Sequence, residues 1–160
     1  MRENSQGLHL HGVDRVRTAY VMRKGLVLAE LTQEFSSLSG DSLWILRPLY
    51  ENFPEAMADG WLGMISGFDL DVRKEEYVRD FVPAFVTERQ PDPRRKDLAD
   101  VLAEYGMTNF DRFELLCHSY GLATCDELYV SRDPNRFVDS RANIYEFEDF
   151  TNDYNSEGWL

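Results

Sequence analysis

The sequence predicts an α+β fold: an N-terminal antiparallel β-meander, or small sheet, packed with a C-terminal group of about three helices. Three observations predict it. Apolar residues alternate with a period of two over "RVRTAYVM", they switch to helical spacing from Arg73 onward, and turn chemistry separates the segments.

Taken in order, "MRENSQGLHLHG" has no clear period, and residues 1–14 read as a flexible N-terminus. In "RVRTAYVM", Val16, Thr18, Tyr20 and Met22 fall on one face, with Arg15, Arg17 and Arg23 mainly on the other. "RKG" at 23–25 is a turn signal and "LVLAEL" a second strand, so 15–32 reads as a β-hairpin. After the loop "SSLSGDS", "LWILR" is a short apolar strand ended by Pro48. "YENFPEAMADGWLG" is turn-rich, and "MISGFDLDV" reads as a possible further strand. Tyr77, Val78, Phe81, Val82, Phe85 and Val86 follow helical spacing, with Pro83 expected to kink or interrupt that helix. Asp92 and Pro93 open the next helix, whose stripe is Leu98, Val101, Leu102 and Tyr105 and whose end suits Gly106. Thr108 and Asp111 approximate a capping box for a helix bearing Phe110, Phe113, Leu116, Cys117 and Tyr120, closed by Gly121. "ELYVS" reads as a returning strand. One domain is expected over 15–132, with an acidic aromatic extension at 133–160.

The chain of 160 residues carries a net charge of −12, unevenly placed. Residues 1–96 hold 13 Lys/Arg against 15 Asp/Glu, whereas residues 97–160 hold 4 against 14. Such a field repels phosphate and favours basic partners, or serves as a solvated surface. With no long apolar run and only two cysteines, Cys117 and Cys125, neither a membrane span nor a disulfide framework is expected, and a cytoplasmic setting is the default.

The helix pair within "LAEYGMTNFDRFELLCHSYG" has the outline of a DNA-reading helix-turn-helix. Its second helix offers only Arg112 and His118 to bases and phosphates, so no direct nucleic-acid contact is expected. Cys117, His118 and Cys125, even with His9 and His11, lack zinc-ligand spacing, so no metal or cofactor is expected. There is no GxSxG and no P-loop; "HGVD" at 11–14 and "DFT" at 149–151 echo kinase motifs in the wrong context. The expectation is a protein without catalytic residues.

Binding candidates lie elsewhere. In the tail, Tyr145, Phe147, Phe150, Tyr154 and Trp159 alternate with Glu146, Glu148, Asp149, Asp153 and Glu157, which combines anchors with long-range attraction to a basic surface. The same residues could equally pack on their own domain. Trp61 in "ADGWLGM" is either a core plug or an exposed anchor.

In order, these pieces resemble the small N-terminal subdomain of HipA-type serine/threonine kinase toxins. "AYVMRKGLVLAEL" is similar to that module's "vyl-nG-xxvGxL" hairpin, and "LWILRPLY" to the strand that follows. "ISGFDLDVRKEEY" resembles its "plSlSlPl-x-xxxY" stretch. "RRKDLADVLAEYG" and "DRFELLCHSYGLATCDELYV" resemble its closing "RxxLAxxxG" and "DxFxLLxxxGxDxxGAlxv" helices and strand. The resemblance covers roughly 16–132. It departs where the central "PLS" is reduced to Ile65 and Ser66, and where "FVTERQPDP" replaces the "LLPEG" turn. In HipA the subdomain is attached to a kinase core that holds the catalytic residues. A free-standing copy resembles the small component of three-gene HipBST systems, which binds and neutralises the kinase. The resemblance thus implies an antitoxin-like module whose partner is a HipA-type kinase or another basic protein. The alternative is an acidic inhibitor from a phage or mobile element, a DNA mimic or steric plug on a basic defence protein. An enzyme with an unrecognised site is a third reading.

Overall fold

The computed structural model describes residues 9–139, which form one five-stranded antiparallel sheet with short helices packed on one face. The sheet begins with β1 (Arg15–Arg23) and β2 (Leu26–Phe35), joined by the two-residue turn Lys24–Gly25. Both turn residues have positive φ, 51° and 82°, the geometry that twists a tight hairpin correctly. Next come β3 (Ser42–Pro48), β4 (Tyr77–Arg79) and β5 (Tyr129–Ser131), giving the strand order β4-β3-β2-β1-β5. The last strand therefore pairs with the first, Val130 facing Val21. The helices are α1 (Phe53–Ala58), α2 (Ala84–Thr87), α3 (Leu98–Glu104) and α4 (Arg112–His118), with 3-10 turns at Tyr50–Asn52 and Leu70–Val72. This is the α+β architecture that the patterning predicts, with three of the described α-helices after β4. Among the described residues, no helix is long and apolar enough to cross a membrane.

The helix-covered face carries Ala19 and Val21 of β1, opposite Leu31 and Ala29 of β2, which face Leu46 and Pro48 of β3. Phe113 and Leu116 of α4, Phe85 and Val86 of α2, and Phe53 and Ala56 of α1 close over it. Each valine, leucine or phenylalanine among them contributes about 1.5–3 kcal/mol when fully withdrawn from water. Trp44 lies 6.1 Å from Phe113, centroid to centroid, and fixes α4 against the middle of the sheet.

The alternation along β1 puts Arg17, rather than Val16 or Thr18, on the helix-covered face. Val16 is 48% exposed, and the Thr18 hydroxyl pairs with Thr32 at 3.1 Å on the reverse face. Arg17 instead lies on the helix side, its guanidinium 5.0 Å from the Phe113 ring and bonded to Asp111 at 2.8 Å and Glu114 at 3.2 Å. An arginine stem covers apolar surface while its head finds carboxylates, so an alternating Arg need not mark the solvent side.

Four expectations change. Asp92 and Pro93 do not open a helix: α3 begins at Leu98, with Asp97 at its N-cap position. The stripe from Tyr77 to Val86 is not one helix: Tyr77 pairs with Leu46 in β4, Pro83 precedes α2, and Phe81 is 61% exposed. Pairing with a hydrogen-bonded strand overrides the local period, and Pro83 forbids a continuous helix. "MISGFDLDV" is not a strand but a tight bridge, Ile65 to Phe68, turned at Gly67 (φ 91°) and followed by a 3-10 turn. The cap of α4 is not a Thr108 box. Asp111 itself accepts from the amides of Phe113 and Glu114.

Candidate functional site

The candidate site is a cleft of about 600 Å³ at one end of the sheet. Three segments far apart in sequence build it: the β1–β2 turn, residues 59–66 after α1, and residues 125–127 before β5, with Glu88 beyond α2.

Arg23 ties the three segments together. Its side chain is nearly buried, and its guanidinium donates to Asp59 Oδ2 at 2.9 Å, the Asp59 carbonyl at 3.0 Å and Glu127 Oε1 at 2.9 Å. The adjacent Lys24 ammonium also reaches Asp59, at 2.8 Å. Lys24, then Arg23, hold the Asp59 carboxyl below its ordinary range. Gly60 (φ 110°) adopts a backbone conformation that L side chains avoid, and this lets the chain turn beneath the guanidinium.

Trp61 proves to be the floor of the cleft. Only 8% of it is exposed; its ring meets Phe53 edge-on at 4.9 Å, and its indole N–H donates to the Met64 carbonyl at 3.3 Å. The exposed residues are its neighbours: Leu62 (80%) and Met64 (65%) stand at the rim, and Met57 packs beneath Gly63. Contiguous apolar exposure of this kind marks interaction surfaces more often than isolated residues do.

The opposite wall is acidic. Arg89, its side chain fully buried, pairs with Asp126 and stacks 4.1 Å from the Phe85 ring. Donor atoms of Glu88, Cys125 and Asp126 come within 4.8 Å of one another, the one such group among the described residues with the spacing of a cation site. Burial, then the charge of Asp126, raises the Cys125 pKa, which keeps it a thiol, and Asp126 already compensates Arg89. The trio is therefore a weak metal donor set. Of the other sulfur and imidazole candidates, Cys117 is pushed up to about 11 by its burial on the core side of α4. His118 faces the Tyr105 carbonyl at 3.0 Å, and His9 lies between Glu34 and Glu76. These groups are distributed among separate surroundings.

Tyr145, Glu146, Phe147, Glu148, Asp149, Phe150, Asp153, Tyr154 and Trp159 lie outside the described residues. The structure adds Arg23, Leu62, Met64, Glu88, Asp126 and Glu127 to Trp61, residues that the sequence did not single out. The glycines that bracket Trp61 were the available signal, since Gly-Trp-Leu-Gly places apolar bulk in a loop. Comparison of the chain with protein-family models, with curated proteins and with solved structures finds no match to any of them.

Proposed function

We propose that the chain is a protein-binding module that docks on a HipA-type serine/threonine kinase and restrains it, without chemistry of its own, in a reducing cytoplasm. The observation that carries this reading is the cleft at Trp61. It presents Leu62 and Met64 to water on a rim braced by the Arg23 ion pairs. What sets the pair apart from singly exposed side chains such as Leu38 is its position at the mouth of a cleft, where neighbouring apolar groups mark interaction sites. The HipA-like segments at 19–31, 65–77 and 94–130 all contribute to the one sheet-and-helix unit, and the middle segment follows directly on the rim. Both cysteines are free, in keeping with a reducing compartment.

The acidic-inhibitor reading draws less support from the described residues. Asp111, Glu114 and Asp126 are engaged by Arg17, Arg132 and Arg89, so part of the acidic surplus is consumed by ion pairs within the fold. The test is co-expression with a HipA-type kinase, taken from the neighbouring genes where one is encoded there, followed by affinity capture and an autophosphorylation assay with and without the chain. A stable complex with suppressed autophosphorylation is expected. If the kinase neither co-purifies nor loses activity, the proposal fails.

A further inference from the structure

We propose that the Trp61 cleft seats a short basic-apolar segment of a protein partner. A Lys or Arg side chain meets Glu88 and Asp126, and a neighbouring apolar side chain packs on Leu62 and Met64. This rests on the protein-binding reading but not on the identity of the kinase.

The charges around the cleft fix the sign of the occupant. Arg23 is paired with Asp59 and Glu127, Lys24 also reaches Asp59, and Arg89 is paired with Asp126. Glu88 is exposed and has no cation partner among the described residues. Two cations, Arg23 and Lys24, thus line the cleft with four carboxylates, Asp59, Glu88, Asp126 and Glu127, and Arg89 neutralises Asp126 from behind the wall. The one uncompensated charge is negative, and it lies where the Glu88 and Asp126 oxygens converge. An incoming guanidinium or ammonium restores neutrality there, whereas an incoming carboxylate or phosphate meets like charge.

The other wall fixes the character of the adjoining residue. Leu62 and Met64 are exposed and adjacent, above a floor that Trp61 and Phe53 hold rigid. A methionine at such a rim adapts its shape to the side chain it meets. The volume of about 600 Å³ falls within the range of sites that enclose a small ligand, and it suits a few side chains rather than a folded face.

The test titrates the 15N-labelled full chain with the capped peptide acetyl-Gly-Leu-Arg-Leu-Gly-amide, and with the same peptide carrying Glu in place of Arg. Saturable shifts are expected at the Trp61 indole and at the amides of Leu62, Met64, Glu88 and Asp126. Binding should be at least fivefold weaker for the Glu peptide. Glu88→Gln should weaken the Arg peptide several-fold, and the double variant Leu62→Ser/Met64→Ser should abolish saturation; these side chains are exposed, so the variants keep the fold. Equal binding of the two peptides, shifts elsewhere, or indifference to both variants would overturn the assignment. So would a concentration-dependent dimer that the double variant dissolves, because the occupant would then be a second copy. A kinase complex that survives both variants would remove the groove and leave the kinase-binding module standing. Peptide binding without any kinase complex would do the reverse.

Discussion

Replacing Asp111 by Ala removes two roles at once, and the structure separates them. Asp111 Oδ1 caps α4 by accepting from the amides of Phe113 and Glu114, while Oδ2 receives Arg17 at 2.8 Å. Loss of such a cap costs about 1 kcal/mol. Loss of the ion pair costs up to about 1 kcal/mol, because Arg17 keeps Glu114 and the site is partly screened. Asp111→Ala should therefore lose about 2 kcal/mol, or roughly 6–8 °C in Tm for a domain of this size. Asp111→Asn retains the cap and should lose about half as much. Differential scanning calorimetry at neutral pH, with urea unfolding as a check, measures both. The pH dependence gives an independent sign. Burial opposes ionisation of Asp111, but the Arg17 bond and the two amides outweigh it, and its pKa is lowered. A lowered carboxylate pKa stabilises the fold above the unfolded value of 3.8, and that contribution is lost as pH falls through the folded value. The gap between parent and Asp111→Asn should therefore close in acid. The reasoning is refuted if Asn is as damaging as Ala, or if both variants melt within a degree of the parent.

Arg23→Met, which keeps the stem but leaves Glu127 and Asp59 without their shared cation, should lower stability by about 2–3 kcal/mol in urea unfolding and weaken partner binding together with it. Gly121→Ala forces a Cβ within 3.0 Å of Leu116 Cδ1 and 3.1 Å of Val130 Cγ2 at φ 53°, so a loss of about 2–4 kcal/mol is expected; an unchanged urea midpoint would contradict the packing of β5 on α4. His9 is desolvated, yet Glu76 and Glu34 raise its pKa above 6.5. Its contribution is complete below 6.5 and is lost as pH rises through the folded value, so His9→Gln should flatten the fall in Tm from pH 6 to pH 8.

The hairpin was legible because Arg23-Lys24-Gly25 is a turn with a mechanism, and β3 because an apolar run stops at Pro48. The helix pair was legible from its stripes and from Gly106 and Gly121, both of which take positive φ. What local pattern could not supply is which neighbour a segment meets. Tyr77 carries a helical spacing, yet its ring is buried against Phe68 and its hydroxyl donates to the Asp69 carbonyl at 2.7 Å, so pairing with β3 decides its conformation. Likewise Asp111 and Glu114, part of the acidic surplus after residue 97, turn out to bind Arg17 across the core edge. Trp61 was recognisable as a plug or an anchor. That it is the plug, with Leu62 and Met64 as the exposed pair, depends on contacts with Phe53 that no spacing encodes.

The pairing of β5 with β1 also sets an order of events during synthesis. Arg23 must wait for Glu127, and the Gly25 amide for the Tyr129 hydroxyl, each 104 residues further along the chain. At ordinary translation rates that interval is roughly 5–20 s. Throughout it, the nascent hairpin presents Val21 and Met22 on an unpaired strand edge, the kind of surface that recruits other chains. Yield in the cell should therefore depend on how that interval is bridged, by slow growth, low temperature or a holding chaperone, more than on the melting point of the finished fold.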